Sequence, residues 1–394
     1  MRGDHDENHG AQHDGNEIVE FGARPGRGRR WLSRVLVACF VIAVVVGLIL
    51  KATNHKSQPQ PQSHPLPAQP LASSKPPTVI NVGHPLLGVT AGWELLARGP
   101  NDLVAIQMAR GLITETYVPA LGSGLPEVSF IAGSHEAIVR SPDSVPGYMI
   151  PDGRPAQLIT GPFANDGPVI PGPMPDQAWV MTGTLARPTA TLVTLAGTPA
   201  GETIRFNPRN ELASEAEPDG HGYVLVLANP PHGFYDVGPT FANRIPDHII
   251  AVGPTGWLVL ACHRKHCSNT VINPATHSHR ALPGPAIRNS AWSWPPLGVV
   301  SPDGSTAAVL ITKNPSRLSL RLVNLRSGAV ASVDVAMDPS APNECLAWSP
   351  DSRWLFIATA QGKLVAVNAA TRRVQGLGIQ LPDITQVAVR PAAG

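Results

Sequence analysis

The stretch LAWSPDSRWLFIATAQGKLVAVN, residues 346–368, decides the fold class, because short apolar runs alternate in it with tight-turn residues. The stretch GVVSPDGSTAAVLITKNPSRLSLRLVN, residues 298–324, repeats the same order. In both, proline presets the backbone for a turn, and the aspartate can accept a hydrogen bond from the backbone two residues further on. Each stretch therefore predicts consecutive short β-strands separated by turns.

One strand type recurs along the chain: an aromatic or small residue opens a run of mostly apolar residues. The seven runs begin at Trp93, Ala137, Trp179, Tyr223, Trp257, Ala307 and Trp354. Their spacing averages about 43 residues, the length of one four-stranded propeller blade. The 42 Pro and 37 Gly oppose long helices. The sequence therefore predicts an all-β fold, a β-propeller of about seven four-stranded blades.

The last two repeats resemble the WD40-like repeats of TolB-type bacterial β-propellers. The resemblance covers residues 290–391 closely. Over residues 80–290 the turn signature survives only in displaced pieces, such as Ser141-Pro-Asp-Ser and Pro151-Asp-Gly. Turns of this type occur in many bacterial propellers, so the resemblance implies a fold and says little about function.

The two ends of the repeat array predict how the ring closes. The first repeat shows three strands, near residues 92–97, 103–108 and 112–118, with no inner strand before them. The chain ends in a lone strand, residues 384–390, after a complete seventh repeat. We expect this C-terminal strand to become the inner strand of the first blade, which would remove the open edges of the ring.

A single apolar segment near the N-terminus predicts a transmembrane helix. Residues 35–50 read VLVACFVIAVVVGLIL, and with Trp31 and Leu32 the apolar reach is about 20 residues, close to one bilayer crossing. Five arginines precede it, whereas only Lys51 and Lys56 follow within a similar distance. The positive-inside rule then places the N-terminus in the cytoplasm and the large C-terminal part outside the cell.

Two other interpretations of this segment fit the residues less well. A cleaved signal peptide needs small residues at its end, and Leu48-Ile-Leu-Lys51 has none. A lipoprotein would need its cysteine at the end of the apolar run, whereas Cys39 stands near its start. The predicted organisation is a disordered cytoplasmic tail (1–30), a transmembrane helix (31–51), a Pro-rich linker (52–78) and a propeller ectodomain (79–394).

A predicted hairpin places Cys262 and Cys267 opposite each other, around a four-residue tip between residues 256–261 and 268–273. In an oxidising compartment this spacing favours a disulfide. The alternative is zinc held by both cysteines with His263 or His266, but this spacing is weak for zinc, so we expect no metal. Cys345 would then be unpaired and buried in an inner strand.

Loops near this hairpin predict a basic sector. Second-to-third-strand loops and blade-to-blade connections emerge on the same face of a propeller. The sector comprises His263, Arg264, Lys265, His266, Arg288, Trp292, Trp294, Lys313 and Arg317. Such a set could hold an anionic polymer or a phosphate-bearing ligand, or it could be ordinary loop charge with tryptophans packed between blades.

The remaining composition excludes several function classes. A net charge of +2 gives no general case for nucleic-acid binding. No nucleophile elbow, Walker loop, dinucleotide fingerprint or zinc-protease motif is present, so we expect no cofactor and no catalytic residues. The carboxylates Glu215, Glu217 and Asp219 fall in a turn-rich segment that we expect to be an exposed, solvated loop rather than a catalytic site. The hypothesis is a membrane-anchored binding module at the cell surface, with a protein or an anionic envelope polymer as its partner. The alternative is an envelope hydrolase or lyase acting on glycans with an unrecognised site.

Overall fold

The computed structural model describes residues 75–119, 129–140, 147–164, 167–184, 187–206, 212–229, 233–245, 248–263, 266–287, 298–314, 317–337 and 343–391. The predicted tail, transmembrane helix and most of the linker lie outside the described residues. Within these ranges, no helix is long and apolar enough to cross a membrane.

Seven antiparallel sheets, the blades, make up the propeller. Blade 1 contains β1 (Thr78–Asn81), β2 (Trp93–Arg98), β3 (Asp102–Gln107) and β4 (Leu112–Tyr117). Blade 2 contains β5 (Ser129–Ala132), β6 (Glu136–Arg140), β7 (Tyr148–Pro151) and β8 (Gln157–Leu158). Blade 3 contains β9 (Val169–Pro171), β10 (Gln177–Thr184), β11 (Arg187–Thr194) and β12 (Pro199–Arg205). Blade 4 contains β13 (Leu212–Pro218), β14 (Val224–Asn229), β15 (Gly233–Val237) and β16 (Ala242–Ile245).

Blade 5 contains β17 (His248–Ala251), β18 (Trp257–His263), β19 (His266–Ile272) and β20 (His279–Leu282). Blade 6 contains β21 (Gly298–Val300), β22 (Thr306–Asn314), β23 (Arg317–Asn324) and β24 (Val330–Met337). Blade 7 contains β25 (Leu346–Trp348), β26 (Trp354–Ala358), β27 (Leu364–Asn368) and β28 (Val374–Gly376). The last strand is β29 (Gln386–Pro391), and the short 3-10 helices are η1 (Leu86–Gly88), η2 (Gly161–Ala164) and η3 (Asn343–Cys345). The prediction of a seven-bladed propeller is confirmed.

The seven recurring runs are the second strands of the seven blades. Trp93, Trp257 and Trp354 are the first residues of β2, β18 and β26, and the other four runs coincide with β6, β10, β14 and β22. These strands are apolar on both faces because each blade is covered by a neighbouring blade on either side. Trp179 and Trp257 are completely buried there.

The C-terminal strand closes the ring as predicted. β29 pairs antiparallel with β2 over the full length of both strands, from Trp93 opposite Pro391 to Arg98 opposite Gln386. The innermost strand of blade 1 thus comes from the other end of the chain. This pairing removes the free inner edge that β2 would otherwise present.

Blade 1 also carries a fifth strand that the sequence analysis did not predict. β1 pairs antiparallel with β4 at the outer rim, with Thr78 opposite Glu115. All four of its residues are exposed, including Val79 and Ile80. A four-residue strand next to prolines has no apolar alternation, which explains why no strand was predicted here, and its first residue, Thr78, falls in the predicted linker.

The Ser-Pro-Asp turns join first to second strands in blades 6 and 7. The hydroxyl of Ser301 donates to Oδ1 of Asp303 at 2.6 Å, and that of Ser349 donates to Oδ1 of Asp351 at 2.5 Å. The residue after each aspartate has positive φ, 68° at Gly304 and 59° at Ser352. Blade 4 has the same turn at Pro218-Asp-Gly, with a φ of 78° at Gly220.

Buried tryptophans fasten neighbouring blades to one another. Nε1 of Trp179 in blade 3 donates to the backbone oxygen of Gly222 in blade 4 at 2.9 Å. Nε1 of Trp348 in blade 7 donates to the backbone oxygen of Val299 in blade 6 at 3.1 Å. Each bond satisfies a polar atom that would otherwise be buried without a hydrogen-bond partner, and it sets the distance between two sheets.

The strand order defines two faces of the propeller. On the lower face lie the turns from first to second strand, in blades 2 to 7, and the turns from third to fourth strand. The upper face carries the second-to-third-strand hairpins and the connections between blades. Cys345 is buried as predicted, but it ends η3 just before β25 rather than lying in the inner strand itself.

Candidate functional site

The closing strand carries a buried arginine, Arg390, that contacts three segments at the lower face. Its Nε and Nη2 donate to Oε2 of Glu94 at 2.9 and 2.7 Å. Nη1 donates to the backbone oxygens of Gly133, at 2.9 Å, and Glu136, at 3.4 Å, and Nη2 also donates to Oδ1 of Asp152. All five guanidinium N–H groups are therefore used, and they join β29 to blades 1 and 2.

A cavity of about 270 Å³ lies between blades 1 and 2 beside this arginine. Its polar lining comes from six residues, Glu94, Gln107, Thr114, Thr116, Asp152 and Arg390. Its apolar lining includes Leu96, Leu103, Ala105, Ala137 and Ile150. We call this the blade 1–2 cavity. It combines an apolar wall with a few convergent polar groups, as small-molecule sites do.

The sheet geometry explains why these residues converge. Leu96, Ala105 and Thr114 occupy neighbouring positions on β2, β3 and β4, so their side chains stand on one face of blade 1. Ala137 and Ile150 are opposite each other on β6 and β7 of blade 2. Small residues at 105 and 137 leave space where larger ones would fill the gap between the blades.

The blade 1–2 cavity is electronegative. Two carboxylates, Glu94 and Asp152, line it against one guanidinium, which leaves one net negative charge. Glu136 lies close by, and burial together with the charges of Asp176 and Asp152 raises the pKa of its carboxyl. Burial is the largest cause of this pKa shift, and the charges of Asp176 and Asp152 are the smaller contributions that reflect a negative local potential.

A second buried arginine joins the same two strands at the upper end. Nη1 of Arg98 donates to Oε1 of Gln386 at 2.5 Å, and Nε2 of Gln386 donates to Oε2 of Glu344 at 3.2 Å. Burial lowers the pKa of Arg98 to about 10, although the charge of Glu344 acts in the opposite direction. This network ties blade 7 to the closing strand, so we assign it a structural role.

Two buried aspartates form a further polar cluster, between blades 4 and 5 at the lower face. Asp219 is 1% exposed and Asp236 is 2% exposed. Oδ1 of Asp219 accepts hydrogen bonds from the backbone N–H groups of His221, at 2.6 Å, and Tyr223, at 2.8 Å. Oδ2 of Asp219 and Oδ1 of Asp236 are buried without a hydrogen-bond partner among the described residues. We call this the aspartate pair.

Blade 5 contributes the groups that face the aspartate pair. Nε1 of Trp257 donates to the backbone oxygen of Asp219 at 2.7 Å. Nε2 of His277 lies 3.9 Å from Oδ2 of Asp236 and 2.9 Å from Nδ2 of Asn243. Since no arginine or lysine is recorded in contact with the pair in the described ranges, its negative charge has no permanent counter-charge.

The aspartate pair is therefore suited to holding a proton. Burial, and secondarily the charge of Asp219, raises the pKa of Asp236 to about 7. Burial also raises the pKa of Asp219, although its backbone hydrogen bonds oppose that effect. Two close carboxylates in an apolar environment titrate as a pair that retains one proton into the neutral range.

The sequence pattern did not reveal this pair. The expectation of an exposed loop is wrong for Asp219, which is buried directly after β13. Glu215 and Glu217 lie in the inner strand β13 rather than in a loop, Glu215 exposed and Glu217 half-buried. The signal was present, because Pro218-Asp-Gly is the same turn as Ser301-Pro-Asp-Gly.

Most of the predicted basic sector falls where the structure gives no description. Arg264, Lys265, Arg288, Trp292 and Trp294 lie outside the described residues, as do the side chains of Lys313 and Arg317. His263 and His266 are exposed and opposite each other at the upper face. The basic sector stays a prediction.

The hairpin that carries those histidines is longer than expected. Backbone pairing continues through Cys262 opposite Cys267 to His263 opposite His266, so only two residues separate the strands instead of four. The structure joins the two cysteines in a disulfide, with Cα atoms 4.1 Å apart. Across the described ranges, no group of three or more His, Cys, Asp or Glu side chains is arranged to hold a metal ion.

Comparison with known proteins adds likeness of fold. No protein-family profile and no curated protein match the chain by sequence. Among solved structures, it is similar to TolB from Acinetobacter baumannii, at 13% identity and a TM-score of 0.43, over 77% of this chain and 68% of that one. It is also similar to apo AztD from Citrobacter koseri, at 12% identity and a TM-score of 0.46, over 78% of this chain and all of that one. A manganese complex of oligogalacturonate lyase matches at 12% identity and a TM-score of 0.45, over 75% and 96% of the two chains.

Proposed function

We propose that this chain is a binding protein of the cell surface, anchored by residues 31–51, whose propeller binds a small polar molecule outside the cell. The blade 1–2 cavity carries this proposal. Six polar residues converge on it, and one of them, Thr116, is only 3% exposed and lines the cavity. A hydroxyl that lines a cavity can donate to or accept from a ligand or an ordered water.

The cavity is also held in shape without a ligand. Arg390 in blade 1 donates to Gly133, Glu136 and Asp152 of blade 2, so the two walls of the cavity cannot separate without breaking charged hydrogen bonds, of which the one to Gly133 is buried. A preformed site loses less conformational entropy on binding than a flexible one. A preformed cavity favours ligand binding, but by itself it does not catalyse a reaction.

Binding is favoured over catalysis by where the titratable groups lie. The aspartate pair has the perturbed carboxyls that an acid–base mechanism uses, but both residues are at most 2% exposed, so a glycan cannot reach them. In the blade 1–2 cavity, Glu94 and Asp152 are both paired with Arg390, so neither is placed to act as a general acid.

A ligand screen with a blocked variant tests this proposal. Thermal unfolding of the full-length chain should be followed with a library of small polar metabolites, and at least one should raise Tm. Ala105→Leu places a larger side chain in the cavity and should abolish that increase. An increase in Tm that persists in Ala105→Leu would show that the ligand binds outside the blade 1–2 cavity. The absence of any compound that raises Tm would refute the binding function.

A further inference from the structure

We propose that the ligand of the blade 1–2 cavity carries a protonated amine. This inference rests on the proposed binding function and specifies its chemistry. The cavity contains two carboxylates and a guanidinium, and the question is which of these charges remains available to a ligand.

The guanidinium is not available. Arg390 has five N–H donors, and Glu94, Asp152 and the backbone oxygens of Gly133 and Glu136 accept from all of them. An anionic ligand would have to displace one of these acceptors and then lie beside the carboxylate it displaced. The cavity therefore disfavours phosphates and carboxylates, despite its arginine.

Acceptor capacity does remain. Arg390 engages only Oε2 of Glu94 and only Oδ1 of Asp152, and a carboxylate has about four lone-pair positions. The hydroxyl of Thr116 and the side chains of Thr114 and Gln107 add neutral acceptors to the lining. An ammonium group has three N–H donors and no acceptor, so it matches this surplus of acceptors.

The wider charge distribution favours the same ligand. The lining has a net charge of −1, and Glu136 and Asp176 add further carboxylates beside it. Arg154 follows in the turn after Asp152, but it is exposed and does not line the cavity. A cation entering the cavity is therefore attracted, and an anion is repelled.

Size and apolar lining narrow the class. A volume of about 270 Å³ is just below the range of about 300–1,000 Å³ that holds drug-sized ligands. The aliphatic side chains of Leu96, Leu103 and Ile150 suit a short hydrocarbon body. The expected ligand class is thus a small amine with an aliphatic chain of a few carbons.

Three probes of equal chain length separate charge from shape: 1,4-diaminobutane, 1,4-butanediol and succinate. Calorimetric titration of each into the full-length chain should give binding of the diamine, much weaker binding of the diol, and none of succinate. Increasing the salt concentration should weaken the binding of the diamine, since part of its affinity is electrostatic.

Matched variants locate the binding. Asp152→Asn keeps the Glu94–Arg390 pair and removes one charge, and it should lower the affinity for the diamine about tenfold. Thr116→Val keeps the side-chain shape and should lower that affinity severalfold. Asp334→Asn, an exposed change on β24, should leave the affinity unchanged.

Different outcomes overturn different claims. Binding of succinate or the diol in preference to the diamine, abolished by Ala105→Leu, would refute the amine inference and leave the binding function standing. Diamine binding that Asp152→Asn and Ala105→Leu both leave intact would also refute it, because the site would lie elsewhere. Failure of all three probes to bind refutes the inference, and the metabolite screen then decides the binding function on its own.

Discussion

Replacing Asp236 by asparagine should remove a pH dependence from the stability of the propeller. The folded domain raises the pKa of Asp236 from 3.8 to about 7. Because the folded pKa is the higher one, folding takes up a proton. The stability that Asp236 contributes is complete below about pH 4 and is lost as pH rises through about 7.

The size of the effect follows from that interval. About three pH units, at about 1.4 kcal/mol each, correspond to about 4 kcal/mol between pH 4 and pH 8. Asp236→Asn keeps the shape and cannot ionise, so its free energy of unfolding should fall by about 4 kcal/mol less than that of the wild type over this range.

Urea denaturation of a fragment of residues 75–394, which keeps β1 whole, measures the difference at pH 4, 5, 6, 7 and 8. Asp334→Asn serves as the control, because its side chain is exposed and distant from the aspartate pair. It should follow the wild type at every pH. Parallel curves for the wild type and Asp236→Asn would refute the argument that Asp236 retains its proton in the folded state.

Three further predictions concern closure, the hairpin and topology. Arg390→Met leaves Glu94 buried without its partner and should lower the free energy of unfolding, measured in urea, by about 3–5 kcal/mol. The exposed control Arg326→Met should not lower it. Equal urea midpoints for Arg390→Met and the wild type would argue against the role of Arg390 in closing the ring. The fragment of residues 75–394, exported from the cell, should show two fewer free thiols than cysteines, and reductant should lower its Tm only slightly, because the Cys262–Cys267 ring is small. Full thiol reactivity before reduction would contradict the disulfide. Alkaline phosphatase fused after residue 394 should be active, and an inactive, well-expressed fusion would reverse the proposed topology.

Local patterns were enough to predict the architecture. The runs that begin at Trp93, Trp257 and Trp354 coincide with second strands because each such strand is covered on both faces, which produces a continuous apolar run. The unpaired first repeat and the lone last strand predicted the pairing of β2 with β29. Both inferences use only the spacing of elements along the chain.

The polar sites could not be predicted in this way, because they join residues that are distant in sequence. Arg390 and Glu94 are 296 residues apart, and their contact depends on ring closure in the correct register. The burial of Asp219 could not be predicted from its turn, because Asp303 in the same turn of blade 6 is exposed. Asp219 contacts Trp257 of the next blade, which is 38 residues away in sequence. Turn chemistry predicts a backbone shape, whereas burial depends on what packs against it.

Hydrogen exchange with a bound ligand tests the central claim, that the blade 1–2 cavity is the binding site. Amide exchange of the full-length chain should be compared with and without saturating 1,4-diaminobutane, by mass spectrometry of peptides from every blade. We expect slower exchange in residues 93–98, 102–107 and 148–153, which border the cavity. Slowing confined to residues 257–272 would place the ligand at the predicted basic sector and contradict the account.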